Sequence, residues 1–336
     1  MDSKVLERFR SSLSQHRDEL MAWLDQDYDQ KSIRLGNASI QNVLQVVLQL
    51  EDALEKLDKG NFGMCEVCHE DVETTRLELD YTTTVCLEHL SEEQIQALEK
   101  DLEMVGQVQR ELLPRTAPQI PELDIAVATQ PARIVGGDYY DFFTTRQDQT
   151  GIVIADVMGK GLPASMLMSN LQACLRILGP ESEDPISVTR RLNKLFLNNV
   201  KLIRFISIFI GIFQPETKKL IYCNAGHHPP LLWENSSRQI HLLSPTGPAI
   251  GLSATPEYRE SSVPLHSDDI LLLYTDGIVE ARNQMDEEFG ENRLSKFLQT
   301  HHQQTASEIV GSLLTRLKLF SQSFQDDVTL LAIKVK

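Results

Sequence analysis

The chain has 336 residues, longer than one typical domain, so two domains are the natural expectation. Hydrophobic residues make up 41%, enough for a sizeable core, and the formal net charge is −16. That acidity argues against an electrostatic grip on nucleic-acid phosphates, so no direct nucleic-acid binding is expected. Taken in order, the N-terminus Met-Asp-Ser-Lys-Val-Leu-Glu-Arg lacks the apolar core and cleavage site of a signal peptide. The longest apolar run, Phe205 to Phe213, is too short to cross a bilayer. A soluble, cytoplasmic protein with no membrane partner is the expectation.

Val5, Phe9, Leu13, Leu20 and Leu24 recur at helical spacing, as do Val43, Val47, Leu50, Leu54 and Leu57. A helical hairpin accounts for both runs, with polar Asp25 to Asn37, carrying Gly36, as its tip. Gly60 to His89 changes to glycine, cysteine and threonine without sustained periodicity. The next helix starts after Ser91, an N-cap followed by Glu92 and Glu93. Along it Ile95, Leu98, Leu102, Val105, Gln109 and Leu112 keep a/d heptad spacing. This stripe is either a coiled-coil seam, with Gln109 fixing register in a homodimer through residues 91–113, or a face packed on its own domain. Leu113-Pro114 ends the helix, and Pro118 and Pro121 stiffen a short linker.

From Leu123 onward the pattern is α+β. Strands are expected at Asp124–Thr129, Ile152–Ala155, Phe205–Phe213, Lys219–Asn224, Asp269–Tyr274 and Val328–Val335. Helices are expected at Ala164–Leu178, Pro185–Val200, Glu291–Gln299 and Ala306–Phe320. Two helices between the second and third strands, and a Pro215 turn between the third and fourth, point to antiparallel pairing rather than β-α-β winding. The chain divides into 1–90, a linker over 91–121, and 122–336.

Four acidic sites each lie beside an apolar strand: Asp138 in Gly136-Gly-Asp-Tyr-Tyr-Asp141, Asp156 after Ile152-Val-Ile-Ala155, Asp276 after Leu271-Leu-Leu-Tyr-Thr275, and Asp326-Asp327 before Val328. Singly, an Asp-Gly reads as a turn and an Asp-Asp as a solvated pair. Four strand ends that converge on one rim would gather carboxylates that cannot all stay ionised without a cation among them. Oxygen donors without prominent histidine or thiolate favour Mg²⁺ or Mn²⁺ over zinc. Two such ions would activate a water for in-line attack on a phosphate monoester.

The ordered motifs resemble the PPM-type phosphatases, in the bacterial SpoIIE/RsbU branch. They are Gln109-x-x-Leu-Leu-Pro114, Val135-Gly-Gly-Asp-Tyr-Tyr-Asp-Phe142, Ala155-Asp-Val-Met-Gly-Lys-Gly161 with Pro163-Ala164-Ser165, Asn224-Ala-Gly-His227 with Pro229-Pro230, Thr246-Gly247 with Ile250-Gly251, Tyr274-Thr-Asp-Gly277 with Glu280, and Asp326-Asp-Val-Thr329. That resemblance implies an antiparallel β-sandwich flanked by helices. It implies that Asp156 bridges two metals, that the Val157 carbonyl binds one and that Asp276 and Asp326 bind the other. Asp138 would hold a metal edge or its water, Asp327 would support, and Gly136, Gly137 and Gly277 would let backbone approach. Many eukaryotic relatives carry a proton-donating histidine where Met158 stands here. His227 is then either the general acid or a loop cap, and Arg133 either a phosphate ligand or a strand-end charge.

Of five cysteines, Cys65, Cys68 and Cys86 cluster, and Cys65-x₂-Cys68 with Cys86-x₂-His89 has the spacing of a closed tetrahedral site. Four such ligands select one structural Zn²⁺. Gly60-Asn-Phe-Gly-Met-Cys65-Glu-x-Cys68, with Arg76-Leu77 before Cys86, resembles the DksA/TraR zinc finger, which also follows a helical hairpin. His89 departs from that family's usual fourth cysteine. The resemblance implies a hairpin tip, here bearing Asp25, Asp27 and Asp29, that meets RNA polymerase.

The combined reading is a bacterial signalling serine/threonine phosphatase regulated by its N-terminal module. A metal-bridging hydroxide would attack a phosphoprotein such as a phosphorylated anti-sigma-factor antagonist. The alternative is a transcription modulator acting through the finger, with a vestigial phosphatase domain.

Overall fold

The computed structural model describes residues 2–24, 39–199, 205–321 and 323–336. Two compact units emerge, Met1–Lys100 and Asp101–Lys336. In the first, α1 (Ser3–Leu24) packs on α2 (Ser39–Lys59), and Arg10 of α1 pairs with Asp58 near the end of α2. Phe9 and Leu13 from α1 bury against Leu50, Ala53, Leu54 and Leu57 from α2, as the helical spacing predicts. The same core takes in Phe62, Cys65, Val72 and Cys86, together with Leu77 from the short helix α3 (Thr74–Leu79). The expected tip, with Asp25, Asp27, Asp29 and Gly36, lies outside the described residues.

Helix α4 (Glu92–Leu112) opens on a reciprocal cap: Gln94 N–H donates to Ser91 Oγ at 3.2 Å, and Ser91 N–H to Gln94 Oε1 at 3.0 Å. Its heptad stripe is divided. Ile95, Leu98 and Val105 are exposed, whereas Gln109 is buried.

The second unit is a sandwich of two five-stranded antiparallel sheets. One orders β1 (Leu123–Gln130), β10 (Val328–Val335), β9 (Ile270–Tyr274), β6 (Leu231–Glu234) and β7 (Gln239–Leu242). The other orders β2 (Asp138–Thr144), β3 (Thr150–Val157), β4 (Ile206–Gln214), β5 (Lys219–Ala225) and β8 (Ser261–Pro264). Helices α5 (Leu162–Glu181) and α6 (Pro185–Asn199) cover the second sheet; α8 (Gly290–His301) and α9 (Ala306–Phe320) cover the first, and α7 (Asp276–Val279) follows β9.

The apolar runs are continuous because each central strand is buried on both faces. In β3, Val153, Ala155 and Val157 join Met168, Leu171 and Leu175 of α5, while Ile152 and Ile154 meet the opposite sheet. In β10, Leu330 and Ala332 face α9, while Leu331 and Ile333 enter the inter-sheet core. Strands absent from the sequence expectation have physical reasons. β6, β7 and β8 are four residues each, and β7 is largely exposed. β2 carries Asp138 and Asp141 inward, and Asp141 is satisfied by Tyr139 Oη at 2.6 Å and Arg176 Nε at 2.9 Å.

Candidate metal centre and phosphate site

Sheet geometry places the acids. Asp138 is the first residue of β2 and stands opposite Asp156 across the β2–β3 ladder. In the other sheet, β9 leads through Thr275 into Asp276, and Asp326 and Asp327 immediately precede its neighbour β10. The two sheets are tied at this end. Thr275 Oγ1 donates to Asp138 Oδ2 at 2.7 Å and itself accepts the Thr329 N–H at 2.9 Å. Gly277 permits the closest approach, since a Cβ there would lie 2.0 Å from the Asp327 carbonyl oxygen.

Electrostatics reveals which acids share the site. Asp156 is pushed up to about 7, by burial first and then by Asp276, Asp326, Asp327 and Glu280. Burial, then the Asp156 charge, drives Asp138 well above the carboxylate range, against the opposing hydrogen bonds of Thr329 and Thr275. Asp276 is raised by burial, then by Asp326 and Glu280. A group of buried and half-buried carboxylates whose charges disfavour one another's ionisation is matched to added positive charge, and all-oxygen donors suit hard divalent cations. The donor set therefore fits the Mg²⁺ or Mn²⁺ that the sequence anticipates.

Asp327 occupies a different position from its neighbours. Its Oδ2 accepts the Gly137 N–H at 2.6 Å and its Oδ1 the Ala132 N–H at 2.8 Å, so it clamps the 131–137 loop. Lys160, which sequence reasoning passed over, places Nζ 2.7 Å from Asp326 Oδ2. Its position four residues after Asp156 was the available signal. Thr275 and Thr329 were missed too, although each sits beside an acid motif. Arg133 is exposed and has no ion pair among the described residues. It lies beside Gly161, where an added Cβ would be 3.9 Å from Arg133 Nη1.

His227 is a loop element. It is 1% exposed, its Nδ1 and Ser207 Oγ lie 2.9 Å apart, and its N–H donates to Asn224 Oδ1 at 2.8 Å. Burial lowers it to about 3, so it is neutral at physiological pH and offers no acidic proton. Of the two alternatives, these hydrogen bonds support the loop cap.

In the first unit, ligand atoms of Cys65, Cys68, Cys86 and His89 all lie within 4.8 Å of one another. Cys86 Sγ is 3.2 Å from His89 Nδ1 and 3.8 Å from Cys68 Sγ. Backbone N–H groups of Cys68 and then Cys86 lower the Cys65 thiol to about 6, whereas burial and then the neighbouring thiols raise Cys86 to about 11. Joint ionisation therefore calls for a cation among them, and the sulfur and imidazole donors fit zinc.

Comparison with known proteins places the second unit. The family model for Stage II sporulation protein E (SpoIIE) matches residues 146–336. Phosphoserine phosphatase RsbU of Bacillus subtilis (strain 168) is 30% identical over 243 residues, covering 72% of each chain. Among solved structures, the SiaA-PP2C domain of Pseudomonas aeruginosa superposes with a TM-score of 0.64 at 21% identity, covering 72% of this chain and 98% of that one. The RsbU and RsbW domains of Rv1364c from Mycobacterium tuberculosis give 0.60 at 26% identity, over 67% of this chain and 63% of that one. The family model over residues 146–336 and the match to RsbU establish that the chain belongs to the SpoIIE family.

Proposed function

We propose that this chain is a metal-dependent serine/threonine protein phosphatase of bacterial signalling. The observation that carries the reading is a linked run of acids: Asp156 raises the proton affinity of Asp138, Asp276 that of Asp156, and Asp326 that of both Asp156 and Asp276. Asp138, Asp156, Asp276, Asp326 and the Val157 carbonyl would hold two Mg²⁺ or Mn²⁺ ions, with Asp327 bracing the loop behind them. When bound, such ions supply charge neutralisation for the phosphoryl oxygens and an activated water. The chain's own part is to fix those donors: Thr275 orients Asp138, and Lys160 holds Asp326. Arg133, beside Gly161, would receive a phosphate oxygen.

A phosphoserine protein is the substrate class, in keeping with the name of RsbU; the resemblance to the SpoIIE/RsbU branch narrows it to an anti-sigma-factor antagonist. In the first unit, Cys65, Cys68, Cys86 and His89 would hold one structural Zn²⁺ in a DksA/TraR-like finger. Exposed Ile95, Leu98 and Val105 on α4 support self-association through 91–113. No helix among the described residues is long and apolar enough to cross a membrane.

Mn²⁺-dependent hydrolysis of an aryl phosphate tests the activity. Wild type should turn over, and Asp156→Asn and Asp276→Asn should each lose at least about 100-fold, beyond the range typical of outer partners. Equal rates in all three would favour the transcription-modulator alternative.

A further inference from the structure

Helix α4 reaches the acid site through one side chain. Gln109 is 9% exposed, and its carboxamide grips Gly136 with both arms. Nε2 donates to the Gly136 carbonyl at 2.7 Å, and Oε1 accepts the Gly136 N–H at 3.0 Å. Next door, the Gly137 N–H donates to Asp327 Oδ2 at 2.6 Å, and the Gly137 carbonyl accepts the Val157 N–H at 3.3 Å. All four backbone polar groups of the two glycines are thus paired, two of them by Gln109.

The packing around this dipeptide is tight. A Cβ on Gly136 would lie 2.4 Å from Asp327 Oδ2, and one on Gly137 would lie 2.8 Å from the Val157 carbonyl oxygen. One turn before Gln109, Gly106 lets the helix close on the same loop, since a Cβ there would lie 3.0 Å from the Ile134 carbonyl oxygen. Asp138 is the next residue in the chain, so three groups of the acid site connect directly to the Gly136-Gly137 pair.

We propose that Gln109 is a positioning residue for the reaction: its two-armed hold on Gly136 sets where Asp138 and the Val157 carbonyl meet the remaining metal donors. A buried N–H and C=O that lose their partner must find another, and the loop shifts to do so. Glutamine offers one donor and one acceptor in a single plane, which matches a peptide group; glutamate and methionine do not. The inference rests on the metal-site reading under Proposed function and assigns a cause to its geometry.

The test is Mn²⁺ titration of the metal-free full chain by calorimetry, with aryl phosphate kinetics alongside. Gln109→Met should weaken Mn²⁺ binding by about 10-fold or more and lower kcat, with KM unchanged at saturating Mn²⁺. Gln107→Met, on the exposed side of the same helix, should match wild type in both. Should Gln109→Met fail to fold, Gln109→Glu keeps the acceptor arm and carries the same readout. Wild-type Mn²⁺ affinity in the folded Gln109 variants overturns the proposal, and a changed oligomeric state with that affinity intact assigns Gln109 to a seam between copies. A wild-type chain that binds no Mn²⁺ overturns the metal site itself, and this inference with it.

Discussion

Asp138 and Asp156 face each other directly across the antiparallel β2–β3 pair, two carboxylates at one rung, the first buried and the second half-buried. Like charges placed opposite each other destabilise a sheet, so this rung is a cost that the fold carries until positive charge arrives.

A pH dependence follows. Asp156 stands at about 7 in the folded chain against an ordinary 3.8. Because the folded value is the higher one, the metal-free fold is most stable while Asp156 is protonated, below the unfolded value. That stability is lost as pH rises through about 7. Thermal melts of the second unit without metal should therefore fall in Tm between pH 5 and pH 8. Added Mn²⁺ should raise Tm more at pH 8 than at pH 5; a metal effect independent of pH would contradict the shared site.

Gly277 offers a steric test. With backbone of Asp327 where its Cβ would go, Gly277→Ala should destabilise the second unit by about 1–3 kcal/mol and remove Mn²⁺-dependent hydrolysis. Denaturant unfolding and aryl phosphate assays check both. A variant of wild-type stability would mean that α7 and the start of β10 are not held this close.

The strands with continuous apolar runs were legible in the sequence because two-sided burial leaves a strong signal: Ile152–Ala155 and Val328–Val335 are embedded in β3 and β10. The acid motifs were legible for a related reason, since each flanks such a run. β2 was not, because Asp138 and Asp141 make it look solvated; their partners Thr275 and Arg176 lie 137 and 35 residues away. Gln109 was visible as a polar break in a heptad stripe, but periodicity cannot tell a seam from a bond to Gly136. The Cys/His spacing was readable because the ligands sit in two short local turns.

Arg133 separates its two readings kinetically. As a phosphate ligand, Arg133→Ala should raise KM for a phosphoprotein by about 10-fold, the loss of one charge-assisted hydrogen bond, while leaving Mn²⁺ affinity alone. An unchanged KM makes it an ordinary strand-end charge.

For the finger, metal analysis of the purified chain should find one zinc per chain. Cys65→Ser should lose it and expose amides of residues 60–90 to rapid hydrogen exchange, since Cys65 is buried in the core shared with α1 and α2. Slow exchange in a zinc-free protein would assign the four residues to packing alone.

The most direct measurement is anomalous diffraction from crystals grown with Mn²⁺. The account predicts two Mn²⁺ peaks in contact with carboxylate oxygens of Asp156, Asp276 and Asp326. Density without any manganese peak at these residues, under conditions that support turnover, would contradict it.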